Sequence, residues 1–340
     1  MRYGPFLKKG KTIGLIAPSF GVRFDPYLTK LNYAVTAFIK RGYQIQKSDS
    51  VHLFDHARSN TAEQRAKEFQ QMWNDPQIDF ISSVAGGEVM YEILPYLDFN
   101  QLRQSPPKFF MGYSDNTILT FLLTTLCDVA TIYGTTFTGF GMKIWDPALQ
   151  EAYQIMSGQL LTQKSYDRYQ ILDTTMEEGH FLDPYNKTEP VSYQTINDQE
   201  VHLRGRLIGG CLDILTLFCG TPYDQVRDFL QRYQTDGIIW YLEACDLHPL
   251  ALTRSLLQLK MCGWFDGCQG IVFGRPFHDK EVLFDVGFHE AIISSLSDLN
   301  IPVVMDMDFG HLPPSFTIIN GSIATIDVHD HQGQITYELL

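Results

Sequence analysis

Over the first 130 residues, short apolar runs closed by Gly, Pro or Ser alternate with segments whose apolar residues recur every three or four positions. Thr12-Ile13-Gly14-Leu15-Ile16-Ala17-Pro18-Ser19 reads as a buried strand running into a loop. From Tyr27 to Arg41 the residues Leu28, Leu31, Val35, Phe38 and Ile39 share one helical face, and Gly42 ends that helix. The same reading predicts a second strand at 43–47, a second helix at 61–73 capped by Asn60 or Thr61, a third strand at 79–84 and a helix at 90–97. Between those last two lies Ala85-Gly86-Gly87-Glu88, whose glycines allow close backbone approach. Lys108-Phe109-Phe110-Met111-Gly112-Tyr113-Ser114-Asp115-Asn116-Thr117 and the apolar run after it then read as a strand, an abrupt turn and a helix. Strands alternating with helices imply a parallel sheet covered on both faces, with sites beyond the carboxyl ends of its strands.

The pattern changes near residue 143. Tyr, Gln, Thr and Asp accumulate without a sustained period as far as Val201, which predicts a connector or lid instead of a core. A second apolar block opens at Leu203-Arg204-Gly205-Arg206-Leu207-Ile208-Gly209-Gly210, with a short helix at 211–218, a strand at 237–243 that delivers Glu243, and a helix at 250–260. Strands follow at 270–276 and 301–306. Thr317–Ile319 and Ser322–Val328 are expected to pair as a hairpin around Asn320-Gly321.

Composition narrows the classes. With 340 residues and 44% hydrophobic content, the chain can bury a sizeable core, and its length favours two domains. A formal net charge of -13 argues against nucleic acid or an anionic membrane surface as the main partner, because both need a positive field. A small or cationic substrate is easier to accommodate. The apolar runs at 13–17 and 118–126 fall short of the ~20 residues of a membrane span, and no signal-like apolar segment is visible near the N-terminus, so a cytoplasmic protein is expected. The six cysteines form no Cys-x-x-Cys pair and read as buried thiols. His329-Asp330-His331 reads as a solvated turn. No metal site, no nucleotide loop and no cofactor are expected.

The turn at Ser114 carries the first candidate chemistry. Gly112 allows the bend, Asp115, Asn116 and Thr117 can cap the following helix, and the serine oxygen is thrust out of the strand end beside backbone N–H groups. A nucleophile elbow is built this way, although Asn116 stands where Gly-x-Ser-x-Gly has its second glycine. A serine hydroxyl needs a base, and the base needs an orienting group. His311, in the loop Asp308-Phe309-Gly310-His311-Leu312-Pro313-Pro314, and Glu243, at a strand end, are the candidates. Taken singly, each residue also has a structural reading: a helix cap, a surface-loop histidine, a solvated strand terminus.

Together these residues resemble the LD-carboxypeptidase family of serine peptidases, which includes the murein-recycling LD-carboxypeptidases and the microcin C self-immunity peptidases. The resemblance rests on Gly112-Tyr113-Ser114-Asp115-Asn116-Thr117, on Gly86-Gly87 with Leu94-Pro95-Tyr96-Leu97-Asp98, on 204–210, on Leu242-Glu243 and on Gly310-His311, all in the family's order. It implies a triad of Ser114 as nucleophile, Glu243 as orienter and His311 as general base and acid. It also implies an α/β fold, with an N-terminal parallel-sheet domain at 1–150, an irregular connector or lid at 151–200 and a smaller, strand-rich C-terminal α/β domain at 201–340, commonly in a homodimer. An oxyanion hole would use the backbone N–H of Asp115 and one from Gly87 or Gly86. Many members have Arg before the Gly-Gly pair and an aromatic after it. Ala85 and Glu88 bring this loop closer to the immunity peptidases or to a branch of its own, and make Glu88 a candidate substrate contact with Gly86. The leading expectation is hydrolysis of an LD-amide near the C-terminus of a murein tetrapeptide, releasing D-Ala, with Arg204, Arg206 or Arg275 as candidate partners of its carboxylate. A second is cleavage of peptidyl or aminoacyl nucleotide conjugates, with Trp145, Tyr153 or Tyr166 stacking on the base. A third is a non-catalytic binding protein on the same scaffold.

Overall fold

The computed structural model describes residues 1–196, 200–278 and 280–339, so residues 197–199 of the expected connector lie outside the described residues. The chain forms two compact units: Met1–Leu160 with Leu172–Asn186 and Phe316–Ile319, and Leu161–Ile171 with Lys187–Ser315 and Asn320–Leu340.

In the first unit the elements follow in the order β1 (Thr12–Ile16), α1 (Tyr27–Lys40), β2 (Gln44–Lys47), α2 (Ala62–Asn74), β3 (Phe80–Ser83), α3 (Phe99–Gln104), β4 (Phe109–Gly112), α4 (Thr117–Thr125), β5 (Thr131–Tyr133) and α5 (Pro147–Met156). The five strands are parallel in the spatial order β5-β4-β3-β1-β2. β3, β4 and β5 are buried along their whole length, as strands covered on both faces must be, whereas edge strand β2 alternates between exposed and half-buried positions. Leu31, Ala34 and Phe38 form the buried stripe of α1, while all nine residues of α4 are buried, in keeping with its apolar run. Thr61 caps α2 by accepting the Gln64 N–H at 3.3 Å. The predicted helix at 90–97 is a 3₁₀ segment, Met90–Tyr96, with Pro95 inside it.

The second unit holds β6 (Thr162–Lys164), β7 (Arg168–Tyr169), β8 (Glu189–Pro190), β9 (Gln194–Thr195), β10 (Val201–Cys211), α6 (Leu212–Leu215), α7 (Val226–Arg232), β11 (Ile238–Glu243), α8 (Pro249–Met261), β12 (Gly270–Gly274), α9 (Phe288–Leu296) and β13 (Val303–Met307). The chain then adds β14 (Ile318–Asn320) to the first sheet beside β5, before β15 (Ile323–His329) and β16 (Gln332–Glu338) complete the second. That second sheet has eight strands in the order β6-β16-β15-β10-β11-β12-β13-β9. Its centre, β10 to β13, is parallel and its flanks are antiparallel. β10 and β11 pair with Cys211 opposite Glu243, which places Glu243 at the carboxyl end of a wholly buried strand.

Two expectations change. The hairpin around Asn320-Gly321 is not formed, because β14 and β15 belong to different sheets. The Gly321 N–H donates instead to the Leu207 carbonyl at 2.8 Å. β15 pairs with β16 through Asp330-His331, whose φ values of 50° and 62° are those of a two-residue type I′ turn. The stretch 151–200 carries the end of α5 and strands β6 to β9, of which β6 and β9 edge the eight-stranded sheet. Among the described residues no helix is long and apolar enough to cross a membrane.

Candidate active site

Ser114, between β4 and α4, has φ +63°, a left-handed conformation that a residue with a Cβ adopts only where its surroundings impose it. Its N–H donates to the Tyr133 hydroxyl at 3.3 Å. Gly112 contributes space: a Cβ there would lie 2.7 Å from Cβ and Cγ of Asn116. The tucked Asn116 amide donates to the carbonyls of Tyr113 (3.0 Å) and Ala85 (3.1 Å), so the residue standing in place of the usual second glycine stitches the turn to the 85–88 loop. A Cβ on Gly86 would lie 3.4 Å from Ser114 Oγ, which puts that backbone against the hydroxyl. Gly87 has φ +146°, and a Cβ there would sit 2.2 Å from Ser19 Oγ and 2.6 Å from the Phe20 ring, so only glycine fits. Glu88 is exposed on the same loop.

Asp115 does not cap α4. Its buried Oδ2 accepts the N–H groups of Val89 (3.1 Å) and Met90 (2.9 Å) and the Ser19 hydroxyl, capping the 90–96 segment, while Asn116 at the N-cap of α4 makes no side-chain cap bond. Burial pushes this carboxyl up from its ordinary range, opposed by those three donors and by the charge of Arg65. Arg65, itself buried, donates to the carbonyls of Asn60 (3.0 Å), Pro18 (2.9 Å) and Val89 (3.2 Å) and pairs with Glu92 at 2.5 Å. The loops after β1 and β3 are thereby laced together next to the serine. Ser19, Tyr133 and Arg65 carry no motif; only the apolar faces around them placed their elements.

In the second unit, the fully buried Glu243 carboxylate holds His311 Nδ1 at 2.9 Å from its Oε2, and the imidazole keeps 12% exposure. With Glu243 ionised, Nδ1 carries the hydrogen and Nε2 becomes the proton acceptor. The Cys245 thiol also hydrogen-bonds His311; burial pushes that thiol up, opposed by the histidine. Cys219, Cys245 and Cys262 are half-buried and only Cys127, Cys211 and Cys268 fully so, which corrects the expectation of buried thiols throughout.

The arginines proposed for a substrate carboxylate are otherwise engaged. Arg204 pairs with Glu338 at 2.7 Å, seven residues before Cys211 along β10, or roughly 23 Å of strand from the Glu243 end, so the structure does not bring it to His311. Arg206 pairs with Asp236 at 2.6 Å and stacks over Tyr233, and Arg275 is buried against Asp308. Trp145 and Tyr153 are not open for stacking: Trp145 packs against Phe38, Phe140 and Tyr153 under the Arg41 guanidinium, and Tyr153 hydrogen-bonds Tyr43. Among the described residues no group of three or more His, Cys, Asp or Glu is arranged to hold a metal ion.

A serine on a left-handed strand-to-helix turn and an imidazole seated on a buried carboxylate are side-chain arrangements of the kind serine-peptidase-type hydrolases use. The chain belongs to the LD-carboxypeptidase family: the N-terminal domain of that family matches residues 13–134 and its C-terminal domain residues 204–326. A Vibrio cholerae relative bearing the name carboxypeptidase is 27% identical over 97% of this chain and 96% of its own length. A Bacillus subtilis protein named "Probable murein peptide carboxypeptidase" is 25% identical over 94% and 90% of the two chains, and the Escherichia coli microcin C7 self-immunity protein MccF is 25% identical over 88% and 86%. The solved structure of an MccF-like protein from Bacillus anthracis superposes with a TM-score of 0.84 at 25% identity, covering the whole of both chains.

Proposed function

We propose that the protein is a serine carboxypeptidase that cleaves an LD-amide near the C-terminus of a murein tetrapeptide and releases D-Ala. His311 Nε2 takes the proton of Ser114 Oγ, and the oxygen attacks the amide carbonyl. The backbone N–H groups of Asp115 and Gly87 receive the oxyanion, and His311 then protonates the departing amine. Water, deprotonated by the same imidazole, releases the acyl group. Glu243 stays ionised throughout, fixing the tautomer and stabilising the imidazolium. The observation that carries this reading is the 2.9 Å bond between His311 Nδ1 and a carboxylate with no solvent exposure, a base oriented before any substrate arrives. The Bacillus subtilis relative supports the choice of substrate.

A second substrate class, peptidyl or aminoacyl nucleotide conjugates, is favoured by Ala85 and Glu88 in the 85–88 loop and by the likeness to MccF. Turnover of a murein tetrapeptide, followed as released D-Ala, against that of an aminoacyl sulfamoyl nucleotide decides between them. Ser114→Ala is expected to lower kcat by at least about 10³-fold on whichever is cleaved. Wild-type turnover in that variant would remove Ser114 as the nucleophile, and no turnover of either compound by the native chain would leave the binding-protein reading in its place.

A further inference from the structure

Beside His311 lies a buried ion pair to which the mechanism above gives no part. Arg275 follows β12 directly and Asp308 follows β13, and both side chains are almost wholly withdrawn from solvent. Arg275 Nη1 donates to Asp308 Oδ1, and its Nη2 donates to the carbonyls of Leu312 (3.1 Å) and Pro314 (3.0 Å). The other oxygen of Asp308 accepts the Tyr193 hydroxyl at 2.5 Å and the Tyr166 N–H at 3.0 Å. The Gln170 N–H donates to the Pro313 carbonyl at 2.8 Å, and the Tyr169 ring lies 4.6 Å from the Arg275 guanidinium. The loop that carries His311 is therefore tied down three residues before the histidine and at each of the three residues after it. A buried ion pair gives little net stability over apolar side chains of the same volume. Its geometric effect is larger, because one rigid planar guanidinium reaches a carboxylate from Nη1 and two carbonyls from Nη2, a fixed fork that the single nitrogen of lysine on its flexible stem does not reproduce.

We infer that Arg275 and Asp308, with Tyr193 and the 166–170 segment, are positioning residues that hold the His311 imidazole on Glu243 in the orientation needed for proton transfer. The inference rests on the reading of His311 as the general base. Segment 166–170 thereby becomes part of the working parts of the enzyme, although its sequence offers only Tyr166, as a candidate for base stacking, and not this role. Misplacement of a catalytic group by about 1 Å costs on the order of 10²-fold in rate, and that is the scale of effect to look for.

The test uses the full-length chain and whichever of the two compounds above it turns over, comparing the wild type with His311→Ala, Tyr193→Phe and Arg275→Lys. His311→Ala separates the two levels: wild-type turnover in that variant, or none in the native chain, brings down the base assignment on which the inference depends. With His311→Ala inactive, Arg275→Lys is expected to lower kcat about 10²-fold and Tyr193→Phe about tenfold, each with KM within about twofold of wild type. The acid limb of the kcat profile should also move to lower pH, as the imidazolium loses its grip on Glu243. An effect confined to folding stability would leave kcat and that limb unchanged in the folded fraction, quantified by active-site titration. Unchanged kcat, a loss carried by KM, or an unmoved acid limb overturns the inference. If Arg275→Lys fails to fold, Tyr193→Phe, which removes a single hydroxyl, decides alone.

Discussion

The left-handed backbone at Ser114 is held from outside the turn. Asn116 ties the turn to Ala85, and the Asp115 carboxylate gathers Val89, Met90 and Ser19. Asp115→Ala would leave the buried Met90 N–H and the Ser19 hydroxyl without this acceptor and the Val89 N–H with Ser19 Oγ at 3.3 Å, at about 1–3 kcal/mol for the group as a whole. The urea midpoint is expected to fall accordingly, and an unchanged midpoint would mean that water replaces the carboxylate at no cost. Gly87 tests the oxyanion assignment separately. Gly87→Ala cannot keep φ +146° with a methyl group 2.2 Å from Ser19 Oγ, so its N–H must move. Loss of one oxyanion donor corresponds to about 10²–10³-fold in kcat. Steady-state kinetics showing native kcat in that variant would assign the donor elsewhere. The serine, its turn and the glycine loop were all readable as sequence, because each uses residue types with narrow backbone or capping roles. The direction of the Asp115 side chain was not: an Asp just ahead of a helix caps that helix by default, and only the fold shows a second set of N–H groups within its reach.

Where the chain pairs with itself, local signals failed for a local reason. Asn320-Gly321 is a strong hairpin dipeptide, yet the residues before it join one sheet and those after it another, a choice made by distant strands. The hairpin that does form uses Asp330-His331, from a tripeptide already expected to be a turn. Strands β6 to β9 have two or three residues each, too few for any period to show. One contact between elements involves a titratable histidine. His289, at the start of α9, lies 2.7 Å from Asp306 in β13; this hydrogen bond and the charges of Asp306 and Glu290 raise the histidine above its ordinary value, against the opposing effect of burial. A histidine raised on folding adds stability that is fully present below about pH 6.5, the unfolded value, and is lost as pH climbs through the higher folded value. The ring is 43% exposed, so screening holds the effect below about 1 kcal/mol. Denaturation of the wild type and His289→Gln at pH 6 and pH 8.5 should show a larger stability difference at the lower pH; equal differences would refute the linkage.

For the molecule entire, charge sets a condition on the substrate that neither the fold nor the proposed triad supplies. The formal net charge is -13, and Arg204, Arg206 and Arg275, the cations first considered for a terminal carboxylate, are all paired with carboxylates of the chain. Sequence could single out these arginines by type and neighbourhood but not their partners, since Glu338, Asp236 and Asp308 lie between 30 and 134 positions away. A murein tetrapeptide ends in a carboxylate and so approaches against a repulsive field. At about 0.01 M salt that field extends roughly 30 Å into solution, and at about 0.15 M only roughly 8 Å. The value of kcat/KM for the tetrapeptide is therefore expected to rise severalfold between those ionic strengths, because the encounter step sheds its electrostatic penalty. An uncharged amide analogue of the same peptide serves as the control and should respond far less. A fall in kcat/KM with added salt would point the other way, to a cation outside the three arginines that draws the carboxylate in strongly enough to overcome the charge of the whole chain.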